Sequence, residues 1–147
     1  MTANVSKEEE ELRKLSVEMR FLEQTAETLQ QRISMVNAAM TDLTYASMTL
    51  EDLEKEKEDA ELLVPIGGSS YIKAKLANPD KVVVGLGAGV SVEKTLQEAK
   101  AIVKERLDEL QKTMVSAQQQ FAQIADRINA GRNRLESLLA KVREGKT

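Results

Sequence analysis

The residues best suited to chemistry in this chain lie in one glycine-rich segment, GLGAGVSVEKTLQEA, at residues 85–99. Three glycines follow an apolar run at 82–84 and precede a stretch with helical spacing. Glycine loops in that setting can bind the phosphates of a nucleotide, because backbone N–H groups approach the ligand without an intervening Cβ. The spacing of these glycines is therefore compared first with the motifs of nucleotide-binding proteins.

The spacing of these glycines does not match the common nucleotide-binding motifs. A dinucleotide fingerprint requires G-x-G-x-x-G at the start of a helix, whereas Gly85, Gly87 and Gly89 are spaced G-x-G-x-G. The helix also starts later, at a capping box that begins with Thr95, and the P-loop pattern is absent. We therefore interpret the glycines as a hairpin turn that needs positive φ, and we expect no enzyme activity and no cofactor.

The composition excludes several other kinds of site. The chain has 147 residues with no Cys and no His, which rules out disulfides, Cys/His zinc sites and catalytic triads with a His base. A formal net charge of −3 provides no broad basic surface for nucleic acid. The sequence has no apolar run long enough to span a bilayer, and its acidic start does not resemble a signal peptide. We expect a soluble cytoplasmic protein that binds no metal, nucleic acid or membrane.

Most of the chain is predicted to form two long amphipathic helices. Apolar residues recur at alternating spacings of three and four from Leu12 to Leu50 and again from Val103 to Val142, which is the heptad repeat of a coiled coil. Charged residues make up 31% of the chain and aromatic residues 3%, as is typical of coiled coils. Gly131 is a weak point of the second apolar seam, at a cost of about 1 kcal/mol relative to Ala.

The two helices are expected to pack antiparallel with both chain termini at the free end. Capping boxes begin at Ser6 and Thr95, and the first helix is predicted to end near Ala60. Acidic residues predominate at 7–11 and basic residues at 127–147. An antiparallel hairpin places these opposite charges side by side and gives each helix end the charge that suits its dipole.

Residues 61–94 have the pattern of short β-strands. Alternating or apolar runs are separated by the turn residues GGSS at 67–70 and NPD at 78–80, which predicts four strands in two hairpins. Hairpins this short bury too little area to be stable alone, and their edges are open to other chains. We therefore predict assembly through the apolar residues of the hairpins, namely Leu63, Val64, Ile66, Ile72, Ala74, Leu76, Val82, Val84, Val90 and Val92.

The predicted fold is of the α+β class, a long antiparallel two-helix coiled coil with two central β-hairpins. We expect one structural domain in three parts. These are an N-terminal coiled-coil helix at 1–60, a β-hairpin assembly region at 61–94 and a C-terminal coiled-coil helix at 95–147.

The order of these segments resembles the prefoldin family, most closely its archaeal α class. The resemblance covers nearly the whole chain and is most specific in LVPIG at 63–67, YIKA at 71–74, VGLGAG at 84–89 and VEK at 92–94. Two hairpins rather than one indicate the α class rather than the β class. The resemblance implies an α2β4 hexamer in which the hairpins of two α and four prefoldin β subunits form a β-barrel platform, with the second α subunit as the central partner.

The resemblance also implies a function and further partners. Six coiled coils would enclose a cavity, hold non-native client proteins at their tips without ATP, and deliver them to a group II chaperonin. Apolar residues off the seam near the free end are predicted to contact clients, and terminal seam residues would join them where the helix ends fray. The predicted client-binding residues are Leu12, Leu15, Val17, Phe21, Leu135, Leu138, Leu139 and Val142.

Two rival functions stay open. The same hairpins could polymerise, which would make the chain a filament-forming scaffold with the coiled coils as spacers. An enzyme or nucleotide-binding protein is nearly excluded by the missing motifs. Measurement of the native mass separates a closed hexamer from a filament. Calorimetry with a nucleotide tests whether the chain is an enzyme or a nucleotide-binding protein.

Overall fold

The computed structural model describes residues 6–145 and has the predicted α+β architecture. The elements in chain order are α1 (Lys7–Leu53), β1 (Glu61–Gly67), β2 (Ser70–Lys75), β3 (Lys81–Gly87), β4 (Val90–Thr95) and α2 (Leu96–Gly145). Strands β1 and β2 form one antiparallel hairpin, hairpin 1, and β3 and β4 form a second, hairpin 2. The prediction of two long helices that flank two hairpins is therefore confirmed. Residues 1–5 and 146–147, which the predicted helical segments include, lie outside the described residues.

The described residues divide into two compact units. The two-helix unit combines residues 6–37 of α1 with residues 112–145 of α2, and the hairpin unit is Ala38–Gln111. The division into segments 1–60, 61–94 and 95–147 of one structural domain stays a prediction.

The core of the two-helix unit is the predicted seam. Met19, Leu22 and Ile128 are buried together. The partly buried residues around them are Leu15, Ala26, Ile124 and Leu135. Gly131 also belongs here, because a Cβ added at Gly131 would overlap the Sδ atom of Met19. The glycine that weakens the helix by propensity thus makes room for a large side chain on the opposite helix.

Both predicted helix caps are present. The Ser6 hydroxyl accepts a hydrogen bond of 3.2 Å from the backbone N–H of Glu9. The Thr95 hydroxyl accepts one of 3.2 Å from the N–H of Glu98 and donates one of 3.1 Å to the Glu98 carboxylate. Each cap satisfies an N–H group that has no partner within its own helix, so both helices start where the sequence indicates.

Helix α1 ends at Leu53, short of the predicted end near Ala60. The following residues form tight turns, with N–H groups of Lys55 and Glu56 bonded to carbonyls three residues earlier. The Glu54 carboxylate meets Gln97 and Lys100 in the first turns of α2, each at 2.7 Å. Since α2 itself starts at Leu96, a longer α1 would have no helix opposite it to bury further apolar residues. The predicted end was wrong for that reason.

The core of the hairpin unit joins hairpin 2 to both helices. Its buried residues are Leu50 of α1, Val84 of β3, and Leu96, Ala99 and Val103 of α2. The partly buried residues around them are Leu43, Ala46, Leu53, Val82, Ile102 and Leu107. Within residues 6–145, no residue of β1 or β2 belongs to this cluster. Hairpin 2 is therefore packed on the helices through this cluster, and hairpin 1 contributes no residue to it.

The two hairpins repeat one local design. Val64 pairs with Ile72 in hairpin 1 as Val84 pairs with Val92 in hairpin 2, and each register shifts just before the turn. Positive φ angles run through three successive residues of each turn, at 67–69 and at 87–89. Gly87 and Gly89 have φ of 97° and 76°, as a turn of this kind requires. The glycine segment is therefore a hairpin turn, as predicted.

A double-mutant cycle tests the role of Gly131. In the wild-type background, Gly131→Ala is expected to give no stabilisation, because the new methyl group displaces Met19 and offsets the gain of about 1 kcal/mol in helix propensity. In a Met19→Ala background, itself about 2–5 kcal/mol less stable than wild type, Gly131→Ala is expected to stabilise by about 1 kcal/mol. Urea unfolding followed by circular dichroism measures both. An equal gain in the two backgrounds would contradict the contact.

Candidate functional site

Exposed apolar side chains are the main surface feature of the described residues. Between residues 6 and 145, no group of three or more His, Cys, Asp or Glu side chains is placed to hold a metal ion. In the same part of the chain, no helix has the length and hydropathy needed to cross a membrane. The features with functional potential are instead apolar side chains exposed to solvent, on the hairpins and on the helices.

The hairpins expose many of the apolar residues predicted for assembly. Leu63 is 66% exposed, and Val64, Ile66, Ile72 and Val90 are also exposed. Ala74, Leu76 and Val92 are half-buried. Three exposed residues, Tyr71, Val83 and Leu86, were missed by the sequence reasoning. The period-two pattern offered a signal for Val83, because it alternates with Val82 and Val84 and must face away from them.

Two of the predicted assembly residues point inward. Val84 is 8% exposed in the core of the hairpin unit, and Val82 is packed beside it. Their counterpart in hairpin 1, Val64, is 44% exposed, although it has the same register. In the isolated chain Val82 and Val84 thus attach a hairpin to its own helices, and hairpin 1 presents the equivalent apolar face to solvent.

The client residues predicted off the seam are exposed on the helices. Val17 and Phe21 are each 67% exposed on α1, and Leu139 is exposed on α2. Val17 and Phe21 are four residues apart and lie on the same side of α1. The predicted separation of these residues from the seam is confirmed, and their role as client contacts stays a prediction.

The terminal seam residues are more buried in the folded helix pair than they would be if the helix ends were frayed. Leu12, Leu15, Leu135 and Val142 are half-buried. Leu138 is completely buried, with 0% exposure. The Leu138 side chain is occupied by packing in the folded helix pair, so its role as a client contact requires the helix ends to fray and stays a prediction.

An uncharged stripe extends along the outer side of α1 in the two-helix unit. It repeats at spacings of four and three and consists of Val17, Phe21, Gln24, Thr28, Gln31 and Met35. All six residues are exposed, and Met35 is 73% exposed. In a chain with 31% charged residues, a charge-free stripe on a solvent-facing side is unusual. We call it the outer stripe, and its first two residues were predicted from the sequence as client contacts.

Acidic residues of α1 are paired with basic residues of α2 beside the seam. Arg134 donates two hydrogen bonds to the Glu11 carboxylate, from Nε at 2.8 Å and from Nη2 at 3.0 Å. Glu18 contacts Arg127 at 3.1 Å and Glu23 contacts Arg132 at 3.9 Å. These pairs confirm the antiparallel pairing predicted from the charge distribution. The hydrogen bonds from Arg134 hold the pKa of the Glu11 carboxyl below its ordinary value.

Known proteins of one kind resemble this chain. A family model described as prefoldin subunit matches residues 22–141. The prefoldin subunit alpha of Methanococcoides burtonii is 37% identical over 120 residues, which are 82% of this chain and 87% of that protein. A cryo-EM structure of filamentous PFD from Methanocaldococcus jannaschii matches with a TM-score of 0.67 at 26% identity, over 76% of this chain and 93% of that one. The prefoldin beta subunit from Thermococcus strain KS-1 shares the fold, with a TM-score of 0.59 at 15% identity over 92% and 96% of the two chains.

The ion pair of Glu11 predicts a pH dependence of stability. Because the pKa of Glu11 is lower in the folded chain, its contribution is fully present above the ordinary glutamate pKa of about 4.3 and is lost as the pH falls through the folded value. Wild type is expected to have a higher melting temperature than Glu11→Gln at pH 7, and the difference is expected to vanish near pH 3. Glu10→Gln is the control, since Glu10 takes part in none of the interhelix pairs described above. A difference that persists at pH 3 would contradict the assignment.

Proposed function

The chain belongs to the prefoldin family, and from that premise we propose that it is an α subunit of an ATP-independent holdase. The prefoldin family consists of chaperones and is not a known family of enzymes. The observation that supports the proposal most directly is the outer stripe, which offers uncharged and apolar side chains to solvent on an open surface. Such a surface suits many unrelated unfolded chains, because hydrophobic attraction is non-directional.

The hairpins are proposed to build the assembly. Apolar side chains on short strands with open edges favour pairing with other chains, and both hairpins have them. We propose partners that match this chain in fold, namely prefoldin β subunits and a second α subunit in an α2β4 hexamer with a β-barrel platform. The likeness in fold to a prefoldin beta subunit supports this choice.

Clients are proposed to bind along the outer stripe. Val17 and Phe21 start the stripe, and Met35 extends it with a flexible and polarisable side chain that adapts to irregular surfaces. Leu139 provides a further exposed contact on α2. The half-buried Leu12, Leu15, Leu135 and Val142 are proposed to contribute only when the helix ends fray. In the cytoplasm, the held client would then be delivered to a group II chaperonin.

A filament-forming scaffold is the second candidate function. One observation favours it, the similarity in fold to filamentous PFD from Methanocaldococcus jannaschii. Exposed apolar faces on both hairpins could also support an open chain of subunits. Native mass of the purified assembly separates the two, because a closed hexamer has a fixed mass and a filament does not.

Suppression of client aggregation tests the holdase proposal. The chain is co-purified with a prefoldin β subunit, and light scattering of a chemically unfolded client is followed without ATP. The variant carries Phe21→Ser and Met35→Ser. It is expected to need several-fold more particle, up to about tenfold, for half suppression, because the two contacts together lose about 1.4 kcal/mol of partial apolar burial, which is a factor of ten in affinity.

The matched control is Val115→Ser, which removes an exposed apolar residue of α2 outside the outer stripe. It is expected to suppress scattering as well as wild type does. If the double variant and the control behave alike while all particles keep the same native mass, the outer stripe is not the client site. If the wild-type particle also fails to suppress scattering, the scaffold becomes the better function.

A further inference from the structure

Hairpin 2 meets α2 at two levels. At the base of the hairpin, the N–H of Leu96 donates a hydrogen bond of 2.9 Å to the carbonyl of Asp80, which extends the β3–β4 ladder by one pair beyond Lys81 and Thr95. Further along, the Nη2 group of Arg106 donates one of 2.7 Å to the carbonyl of Gly85 in β3. The side chains of Val82 and Val84 lie between these levels in the sequence and pack into the cluster of the hairpin unit.

The lengths of the two segments fit this double attachment. From Asp80 to Gly85 a strand advances about 16 Å at about 3.3 Å per residue. From Leu96 to Arg106 a helix advances about 15 Å at 1.5 Å per residue. These lengths match, so a contact between Gly85 and Arg106 is compatible with a hairpin whose base is at Asp80 and Leu96. The Arg106 bond joins the far part of β3 to the helix, and Val82 and Val84 add apolar packing between the two levels.

Arg106 makes the contact nearer the turn. The register of β3 and β4 shifts between Gly85 and Gly87, so the strand ladder is interrupted between this contact and the turn at 87–89. Beyond Gly85 the exposed apolar residues Leu86 and Val90 complete the hairpin. A bond at Gly85 therefore limits how far the turn end of the hairpin can tilt away from α2. An Arg is suited to this reach, because its long side chain ends in a rigid fork of N–H donors.

Hairpin 1 provides an internal comparison. It has the same register and the same turn, with Pro65 in the place of Gly85. Its residue Val64 is 44% exposed, whereas Val84 is 8% exposed. The difference in burial follows from attachment to the helices and not from the local design of the hairpin.

We propose that Arg106 is a positioning residue, which fixes the angle at which hairpin 2 is presented to a neighbouring prefoldin subunit. The proposal rests on the proposed function, in that it takes the hairpins to be the assembly surface. Association of two rigid, correctly oriented hairpins loses less conformational freedom than association of a hairpin that tilts. Removal of the Arg106 bond therefore weakens assembly without removing any residue of the interface itself.

The test compares Arg106→Gln and Arg106→Lys with wild type. Each chain is titrated with a prefoldin β subunit, and the dissociation constant and native mass are measured. Arg106→Gln is expected to weaken association roughly tenfold, because a charge-assisted hydrogen bond is lost, and Arg106→Lys is expected to retain part of the affinity. The control is Lys104→Gln, which removes an exposed cation from the same turn of α2 and is expected to leave affinity unchanged.

Two further measurements separate positioning from a general loss of structure. Helical content and the unfolding midpoint are expected to be the same for Arg106→Gln and wild type, because Arg106 lies outside the apolar cluster. Hydrogen exchange of residues 86–90 is expected to be faster in Arg106→Gln, and to be restored in part by Arg106→Lys. Unchanged exchange and unchanged affinity in Arg106→Gln would overturn the proposal.

The variant Ile72→Ser shows whether a negative result concerns the positioning role of Arg106 alone or the proposed assembly through the hairpins. It changes an exposed apolar residue of hairpin 1, far in sequence from Arg106. If Ile72→Ser weakens association and Arg106→Gln does not, the hairpins assemble but Arg106 does not position them. If neither substitution weakens association, assembly through the hairpins is wrong, and the positioning role is overturned with it.

Discussion

The structure depends on one constraint, which is that apolar side chains of α1 are buried only where α2 lies opposite them. In the two-helix unit Met19 and Leu22 pack with Ile128, and in the hairpin unit Leu50 packs with Ala99 and Val103. A helix without such a partner is marginal in water, whatever its propensity. The constraint explains why α1 stops at Leu53 opposite the start of α2, and why the chain changes to turns and strands there.

The ion pairs beside the seam follow the antiparallel direction of the helices and add little stability. Glu11, Glu18 and Glu23 of α1 each meet an arginine of α2, and all of these side chains are well exposed to solvent. Exposed ion pairs contribute little free energy because water screens them and long side chains must be immobilised. Their arrangement is the one expected where the acidic start of α1 lies beside the basic end of α2. Burial of the seam stabilises the helix pair, and the ion pairs are consistent with its antiparallel direction.

The two hairpins show how one local design can take two roles. Both turns have the same run of positive φ, and both registers shift at the same place. Hairpin 2 is joined to the helices by Val82, Val84 and the contact with Arg106, whereas hairpin 1 has no residue in that cluster. A chain with this arrangement carries one hairpin that is packed on its own helices and one whose apolar residues are exposed to solvent. The outer stripe adds a third surface, on the helices.

The sequence by itself determined the features that depend on near neighbours in the chain. The heptad spacing, the caps at Ser6 and Thr95 and the turn at 87–89 each follow from residues within a few positions of one another, so they could be predicted. Only the tertiary structure decided which apolar residues are covered. Val64 and Val84 occupy equivalent positions and differ in burial, Leu138 is buried where fraying was expected, and Gly131 makes room for Met19. In each case the outcome is set by a side chain distant in sequence that stands opposite, and local spacing carries no information about that neighbour.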